Sequence, residues 1–467
     1  METFEEFRKY FGKGKSGKFW KVITRHSLIP LELTAQKEEL LKELYSELVD
    51  SKYAPTNPRG YLLINKGMSI VRIVPVLSPK DICAYYYFTK KLEPDIAGNR
   101  VPYTYGGWSL GGELRKTEDM ELTHISKNMR VYEMPDGETL GFDESVEYPM
   151  EASFNPNAWK KNWQDFTGAL YTHSRQNVFE FVAELDIANF YDNISIDVLE
   201  KKLNAISNDK ITVGFLLNFL RNWDSSIKLV KTVGRGIPQD EIADCSRLVA
   251  NFYLQDFDDE IHTLCEKYGA KYFRYADDQV VFARSREDIQ EIIAKASVMI
   301  LKHGLCFNNG KAKIMSKVEF EEYFSFDWFI ERREKTVIDK NTLLGDLDYY
   351  TKRKQNLRHQ GISVLLRILW LASQNIYFPE LDIMRKTIVN QDFLSSPKLQ
   401  VWHLEKIYKA LTKEGKREMV SELKTLAILS LHNRFHFILL KFFKSIKENT
   451  NEIEERIKEL ESIFELK

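Results

Sequence analysis

Tyr-Phe-Arg-Tyr-Ala-Asp-Asp-Gln-Val-Val-Phe, residues 272–282, places two adjacent carboxylates between two short apolar runs. Two such runs joined by a tight turn predict a β-hairpin that carries Asp277 and Asp278 at its tip. Paired aspartates at a hairpin tip are suited to holding Mg²⁺ against a nucleoside triphosphate. Because Asp is also a common turn residue, an ordinary turn is the alternative interpretation.

A third acid ends an apolar segment further upstream. Residues 181–194 read FVAELDIANFYDNI, which predicts a buried strand that ends at Asp186 and is followed by a turn. Two-metal phosphoryl transfer needs carboxylates from separate elements, so Asp186, Asp277 and Asp278 are the predicted catalytic and metal-binding residues. A helix N-cap is the alternative role for Asp186. Tyr191 is predicted to face the incoming sugar and crowd a 2′-hydroxyl, or else to be a core aromatic.

Two further segments lie between and after these acids. Residues 234–239, Gly-Arg-Gly-Ile-Pro-Gln, predict a loop whose backbone approaches a flat ligand closely, with Gln239 at its end. After the hairpin, a helix from Ile289 to His303 is predicted to end at Gly304, and Asn-Asn-Gly then turns the chain toward Lys311. A lysine near a leaving pyrophosphate stabilises charge or donates a proton, whereas a solvated surface lysine is the alternative.

These four segments, in this order, resemble the reverse transcriptases from about Val71 to Ile330, and more narrowly the bacterial defence-associated, abortive-infection type. Residues 274–278 resemble the Tyr-x-Asp-Asp palm motif of that family, and residues 186–192 resemble its first palm motif. The resemblance implies that Tyr191 is a steric gate favouring deoxynucleotides. It also implies that residues 236–239 position the template and the dNTP, and that residues 308–311 are the Asn-x-x-Lys segment of the family.

The resemblance implies an α+β fold: a right-hand polymerase with fingers and palm, followed by an all-α, α-repeat-like C-terminal region. The predicted domains are an N-terminal helical segment at 1–60, fingers with an insertion at 61–175, a palm at 176–330 and a helical thumb and C-terminal domain at 331–467. The implied function is RNA-directed DNA synthesis from dNTPs with Mg²⁺ or Mn²⁺, in bacterial anti-phage defence. Its implied nucleic-acid partners are a non-coding RNA template and a DNA product.

Departures from the family pattern bear on how the template is handled and not on the metal chemistry. Asp240 follows Gln239 where viral and group II intron relatives carry Gly, and no Phe-Leu-Gly thumb signature is visible. A template-independent, protein-primed DNA polymerase of the abortive-infection type is therefore the first alternative. A non-catalytic nucleic-acid-binding scaffold is an alternative of another class.

Basic residues outside the palm are candidates for binding substrate and nucleic acid. Arg72 interrupts an apolar strand between Tyr61 and Leu77 and is the preferred triphosphate contact, ahead of Lys80, Lys90 and Arg100. Residues 351–358 form a basic helix face that suits a duplex backbone, and a solvated face is the alternative. The predicted nucleic-acid contacts on this face are Lys352, Arg353 and Lys354.

Composition limits the class of protein. A net charge of −1 over 467 residues means that any nucleic-acid surface is a local patch. Four scattered cysteines without a Cys-x-x-Cys pair argue against structural zinc and disulfides, and fit a reducing cytoplasm. No apolar run reaches the length of a membrane helix, so we expect a cytoplasmic protein without a membrane partner.

The C-terminal third predicts successive helices with apolar stripes. The stripes lie within residues 364–371, 404–411 and 426–431, and a last helix carries a seam with a spacing of three and four residues. This seam either packs on its own domain or mediates homo-oligomerisation. Its residues are Ile453, Ile457, Leu460 and Phe464.

Overall fold

The structure is a computed structural model that divides the chain into two compact units. It describes residues 2–11, 19–20, 37–65, 70–97, 101–106, 110, 132–133, 139–140, 158–226, 236–239, 245–332, 335, 337–374, 394, 396 and 398–463. The first unit comprises Met1–Arg59 and Leu77–Val318, and the second comprises Gly60–Val76 and Glu319–Lys467. The units meet at residues 59/60, 76/77 and 318/319. The predicted division into an N-terminal segment, fingers, palm and thumb stays a prediction.

The strands and helices are numbered here in chain order. The strands are β1 (Gly60–Asn65), β2 (Val71–Val76), β3 (Thr104–Tyr105), β4 (Tyr132–Glu133), β5 (Thr139–Leu140), β6 (Phe181–Asp186), β7 (Lys271–Tyr275), β8 (Asp278–Ala283) and β9 (Lys313–Ser316). The helices up to residue 302 are α1 (Phe4–Lys9), α2 (Lys37–Val49), α3 (Pro79–Ile96), α4 (Ala158–Ser174), α5 (Ile196–Ile206), α6 (Lys210–Ser226), α7 (Cys245–Tyr253), α8 (Gln255–Lys267) and α9 (Arg286–Lys302). The later helices are α10 (Lys317–Phe324), α11 (Phe326–Arg332), α12 (Lys340–Arg353), α13 (Ile362–Gln374), α14 (Val401–Ala410), α15 (Lys413–Leu429), α16 (Asn433–Ser445) and α17 (Asn451–Ile463).

The first unit is built on a mixed sheet in the order β3-β7-β8-β6-β9. Strand β8 pairs antiparallel with both β7 and β6, β6 pairs antiparallel with β9, and β3 runs parallel to β7. Helices α8 and α9 pack on the central strands, and α4 packs on β3 and β7. The predicted hairpin and the strand ending at Asp186 are therefore confirmed as elements, and they lie side by side in one sheet.

Helix boundaries in this unit follow local signals in the sequence. Helix α3 begins where the hydroxyl of Ser78 accepts a bond from the Asp81 amide, with Pro79 at the first helical position. Helix α9 begins at a similar Ser285 cap, and the chain leaves it through Gly304, which has a φ of +73°. The predicted helix from residue 289 to 303 is thus confirmed, and it begins three residues earlier than expected.

The second unit joins an early hairpin to the C-terminal helices. The segment from Tyr61 to Leu77, predicted as one strand, forms two strands, β1 and β2, which pair antiparallel, and β1 packs on α16. The side chain of Asn433 accepts a bond from the Leu63 amide at 2.6 Å and donates to the Tyr61 carbonyl at 2.9 Å. The buried side-chain amide of Asn433 on α16 therefore satisfies two backbone polar groups of β1.

The predicted helical stripes of this unit are confirmed in part. The stripe at 364–371 is buried in α13, and the described seam residues Ile453, Ile457 and Leu460 are buried within the unit. That seam therefore packs inside its own unit and is not an exposed oligomerisation surface, while Phe464 lies outside the described residues. The stripe at 426–431 was wrong, because α15 buries only Ala427 of these residues and its buried row runs along a different face. The residues that α15 buries are Gly415, Met419, Leu423 and Ala427, four apart, whereas Ile428, Leu429 and Leu431 are exposed.

Some expectations fall on residues that the structure does not describe. Arg100 and most of residues 132–148, part of the insertion expected in the fingers, lie outside the described residues. Within residues 132–148, β4 and β5 form a short antiparallel pair. None of the described helices combines the length and apolarity needed to span a bilayer.

Candidate active site

The sheet brings the three predicted acids to neighbouring backbone positions. Asp186, the last residue of β6, is the register partner of Asp278, the first residue of β8. Facing residues of antiparallel strands have Cα atoms about 4.5–5.5 Å apart, and their side chains project to the same face. Asp277 precedes Asp278 in the turn. Asp186 is buried, whereas Asp277 and Asp278 are half-buried at the end of the sheet.

The turn that carries these acids has a strained backbone. Tyr275 pairs with Asp278, so Ala276 and Asp277 form a two-residue loop. Ala276 has a φ of +53°, a left-handed conformation that costs an ordinary residue about 1–2 kcal/mol. Two contacts hold it there: its amide donates to the Tyr105 carbonyl at 3.4 Å, and its carbonyl accepts a 2.8 Å bond from Nη1 of Arg274. Strain of this kind persists only where surrounding contacts impose it.

The carboxylate of Asp186 is bound by the segment that follows α9. Nζ of Lys311 lies 3.0 Å from Oδ1 of Asp186, and the Asn308 side-chain amide donates to Oδ2 at 3.1 Å. The backbone amide of Asn308 also donates to the Asp186 carbonyl at 2.8 Å. A bridge between Ile187 and Phe307 extends this pairing beyond β6. The Asn-x-x-Lys segment is therefore adjacent to the first acid.

The donor set suits a hard divalent cation. Carboxylate oxygens are the ligands that Mg²⁺ and Mn²⁺ prefer, and the ammonium of Lys311 already provides a positive charge at Asp186. Within the described ranges, no three carboxylate, imidazole or thiolate side chains are gathered closely enough to hold an ion as they stand. The three aspartates would hold the metal, with Lys311 giving up its contact with Asp186.

The Gly-Ile-Pro loop packs directly on the turn that carries Tyr191. The Ile237 amide donates to the Tyr191 carbonyl at 3.0 Å. Gly236 has a φ of +63°, and a Cβ there would clash with that same carbonyl oxygen. Only glycine fits this approach. The ring of Tyr191 packs against Phe190 and is half-buried, and Gln239 is also half-buried.

Arg72 and the basic residues at the end of α12 lie in the second unit. Arg72 is half-buried in β2, and its Nε is buried without a hydrogen-bond partner among the described residues. Lys352 and Arg353 are exposed at the end of α12, where Lys352 pairs with Asp348 at 2.7 Å. Lys354 caps that helix through its backbone. The binding roles of these residues stay predictions.

Two polar residues near the hairpin contribute to the site but were not predicted from the sequence. Asp258 in α8 and Asn251 in α7 both bind the guanidinium of Arg274, which is fully buried one residue before the final Tyr-Ala-Asp-Asp of the motif. Their separations from Arg274, 16 and 23 residues, match no helical or strand period. The one available signal was an arginine within an apolar strand, because a buried arginine requires an acidic partner.

Comparison with known proteins assigns the enzyme class. Residues 148–339, which include all three aspartates, match the family model described as "Reverse transcriptase (RNA-dependent DNA polymerase)". No curated protein matches the chain. Among solved structures, apo telomerase from Candida tropicalis is similar at 10% identity and a TM-score of 0.33, covering 91% of this chain and 72% of that one. A superposition this loose decides nothing about the fold. The family match shows a reverse transcriptase domain, and with it a nucleotidyltransferase of the RNA-directed DNA polymerase class.

The contact between Gly236 and Tyr191 predicts a specific sensitivity to substitution. Gly236→Ala adds left-handed strain and a backbone clash, so we expect a loss of about 2–4 kcal/mol in the free energy of unfolding, measured by urea denaturation. Gly269→Ala is the matched control, because Gly269 has a φ of +59° but no atom within 3.4 Å of its Cβ position. The control should lose only the strain, about 1–2 kcal/mol. Equal losses in the two variants would contradict the close approach.

Proposed function

We propose that the protein synthesises DNA from dNTPs by two-metal nucleotidyl transfer, as an RNA-directed DNA polymerase with fingers, palm and a helical C-terminal region. The observation that supports this most is the register pairing of Asp186 with Asp278, beside Asp277 in the same turn. Carboxylates from separate strands meeting at one end of a sheet are what in-line phosphoryl transfer requires. The reaction is the attack of a primer hydroxyl on the α-phosphate of a dNTP.

The chain's own residues have distinct roles in this proposal. Asp186, Asp277 and Asp278 hold Mg²⁺ or Mn²⁺, which activates the primer hydroxyl and neutralises charge on the leaving pyrophosphate. Lys311, which contacts Asp186 in this structure, leaves that carboxylate to the metal and stabilises charge that develops on the pyrophosphate or donates a proton to it. Tyr191 restricts the space at the sugar of the incoming nucleotide.

Binding roles are proposed for residues further from the acids. Gln239 positions the template and dNTP, because its loop packs on the Tyr191 turn through Gly236 and Ile237. Arg72 contacts the triphosphate; the supporting observation is that its Nε is buried and has no hydrogen-bond partner within the part of the chain that the structure describes. The basic end of α12 binds a nucleic-acid backbone through two exposed cations and one half-buried one. Its three residues are Lys352, Arg353 and Lys354.

The biological role that we propose is bacterial anti-phage defence, with a non-coding RNA as template. The sequence resemblance to defence-associated reverse transcriptases supports it. A template-independent, protein-primed polymerase is the second candidate, favoured by Asp240 where templated relatives carry Gly. A non-catalytic scaffold is less well supported, because all three acids are present at adjoining positions.

The metal-binding role of Asp277 can be tested by substitution. Asp277→Ala should reduce dNTP incorporation by roughly 10²–10³-fold or more, because a group that stabilises transition-state charge is removed. Asp256→Ala, which removes an exposed carboxylate paired with Lys202 in the same unit, is the matched control and should retain the wild-type rate. Incorporation of labelled dNTP by purified protein measures both. Undiminished incorporation in Asp277→Ala would remove the metal assignment.

The role of Tyr191 can be tested through nucleotide selectivity. Tyr191→Val should reduce the preference for dNTPs over rNTPs by roughly 10–200-fold, the range for a lost steric contact. Tyr191→Phe keeps the bulk of the ring and should keep the preference. Competition between dNTP and rNTP incorporation gives the ratio of kcat/KM values. A destabilised Tyr191→Val protein with unchanged selectivity would identify Tyr191 as a core aromatic instead.

The two polymerase candidates differ in their products. If the protein copies RNA, DNA made by the purified protein should match the co-purified RNA, and synthesis should stop after that RNA is digested. Sequencing the product with and without nuclease treatment measures this. Synthesis that continues without RNA, on a product covalently linked to protein, would favour the template-independent candidate.

A further inference from the structure

We propose that Arg274 is the positioning residue of the active site: it holds the hairpin turn in the strained conformation that fixes Asp277 and Asp278 for metal binding. This inference rests on the proposed function, since it assumes that these acids bind the metal. Arg274 does not contact substrate in this proposal. It acts through the backbone of Ala276, which lies immediately before the two aspartates.

The turn depends on a bond that Arg274 supplies from within the hairpin. Nη1 of Arg274 donates to the Ala276 carbonyl at 2.8 Å, reaching forward two residues along the chain. Ala276 has the left-handed φ of +53° that glycine, not alanine, adopts readily. Orienting the Ala276 carbonyl sets the peptide plane that leads into Asp277. The positions of both acidic side chains then follow from that plane.

Arg274 can hold the turn because it is itself held by two helices. Its Nε donates to Oδ1 of Asp258 at 2.7 Å and its Nη2 donates to Oδ2, so that a guanidinium fork meets a carboxylate. Its Nη1 also donates to Oδ1 of Asn251 at 2.6 Å. Asn251 in turn donates to the Gly106 carbonyl. The turn is thereby connected to α7, α8 and the segment after β3.

Burial separates this role from substrate binding. Arg274 has no exposed surface and Asp258 has almost none, so the ion pair is closed to an incoming nucleotide. Arg274 and Asp278 also project to opposite faces of the sheet, because Asp278 is paired with Tyr275, one position along from Arg274. Burial by itself lowers the pKa of Arg274, but the Asp258 carboxylate more than offsets this and the net pKa is raised. The guanidinium therefore stays charged.

Lysine cannot replace this arrangement. The guanidinium provides donors in several fixed directions, and here they meet Asp258, Asn251 and Ala276 at once. A lysine ammonium keeps the charge beside Asp258 but lacks the planar fork needed to satisfy both the carboxylate and the turn. Arg274→Lys therefore keeps the positive charge of this residue but removes its hydrogen bond to the hairpin turn.

The test measures Mn²⁺ bound by the purified full-length protein in the absence of nucleotide, by electron paramagnetic resonance. Arg274→Lys should weaken Mn²⁺ affinity by about 10–100-fold, the usual effect of removing a group that orients metal ligands. Tyr272→Phe is the matched control, since the Tyr272 hydroxyl donates to the same Asp258 oxygen at 2.9 Å without touching the turn. This control should bind Mn²⁺ as the wild type does.

A rescue experiment distinguishes positioning from general support of the fold. Glycine adopts the left-handed turn without strain, so Arg274→Lys combined with Ala276→Gly should regain part of the lost affinity. If Arg274→Lys does not fold, Arg274→Met with Asp258→Leu carries the test, because it removes both buried charges together. That pair should also bind Mn²⁺ about 10–100-fold more weakly than the wild type.

The outcomes separate this inference from the proposed function. Wild-type affinity in a folded Arg274→Lys protein, or in the Met/Leu pair, would overturn the role of Arg274 alone, provided that Asp277→Ala loses Mn²⁺ binding. A loss in Arg274→Lys that Ala276→Gly does not relieve would also overturn it. Mn²⁺ binding that is unaffected by Asp277→Ala would overturn the metal site itself, and the inference with it.

Discussion

The site depends on the register between β6 and β8. Side chains alternate between the two faces of a strand, so a shift by a single residue would turn Asp186 to the opposite face of the sheet. Pairing on both sides of β6 fixes the register, because β8 and β9 contact it along the same stretch. The proposed catalysis requires that Asp186, the last residue of β6, lies opposite Asp278, the first residue of β8.

A second constraint is the buried ion pair behind the hairpin. Breaking a buried pair by removing one partner costs about 3–5 kcal/mol, because an uncompensated charge is left in the interior. The left-handed turn at Ala276 costs about 1–2 kcal/mol. The interaction of Arg274 with Asp258 and Asn251 is therefore of the scale needed to impose the turn. The strained turn at Ala276 and the buried ion pair behind it therefore belong to one hydrogen-bonded network through Arg274.

Local patterns in the sequence predicted the elements of the site well. The hairpin, the strand ending at Asp186 and the helix before Gly304 each follow from apolar runs, turn residues and caps that lie close together in the chain. The Asn-x-x-Lys segment was identified by resemblance, and its hydrogen bonds to the Asp186 carboxylate place it beside that acid.

Interactions between distant residues could not be predicted in the same way. The partners of Arg274 lie on two helices whose packing is a tertiary property. The mostly apolar run at residues 426–431 did not indicate which face of α15 would be buried, and the row from Gly415 to Ala427 is the one that packs inward. The division into two units could not be foreseen for a related reason, since nothing in β1 or β2 reveals a partner in the C-terminal third.

The pairing of β1 with α16 has a consequence for how the chain is assembled. Leu63 and Asn433 are 370 positions apart, yet one amide side chain joins them. During synthesis the early hairpin leaves the ribosome long before its helical partner exists, and most of the first unit is made in the interval. The second unit is therefore completed last, from an early and a late segment of the chain. A polypeptide that stops after residue 318 would contain the β1–β2 hairpin without α16, the helix that packs on β1.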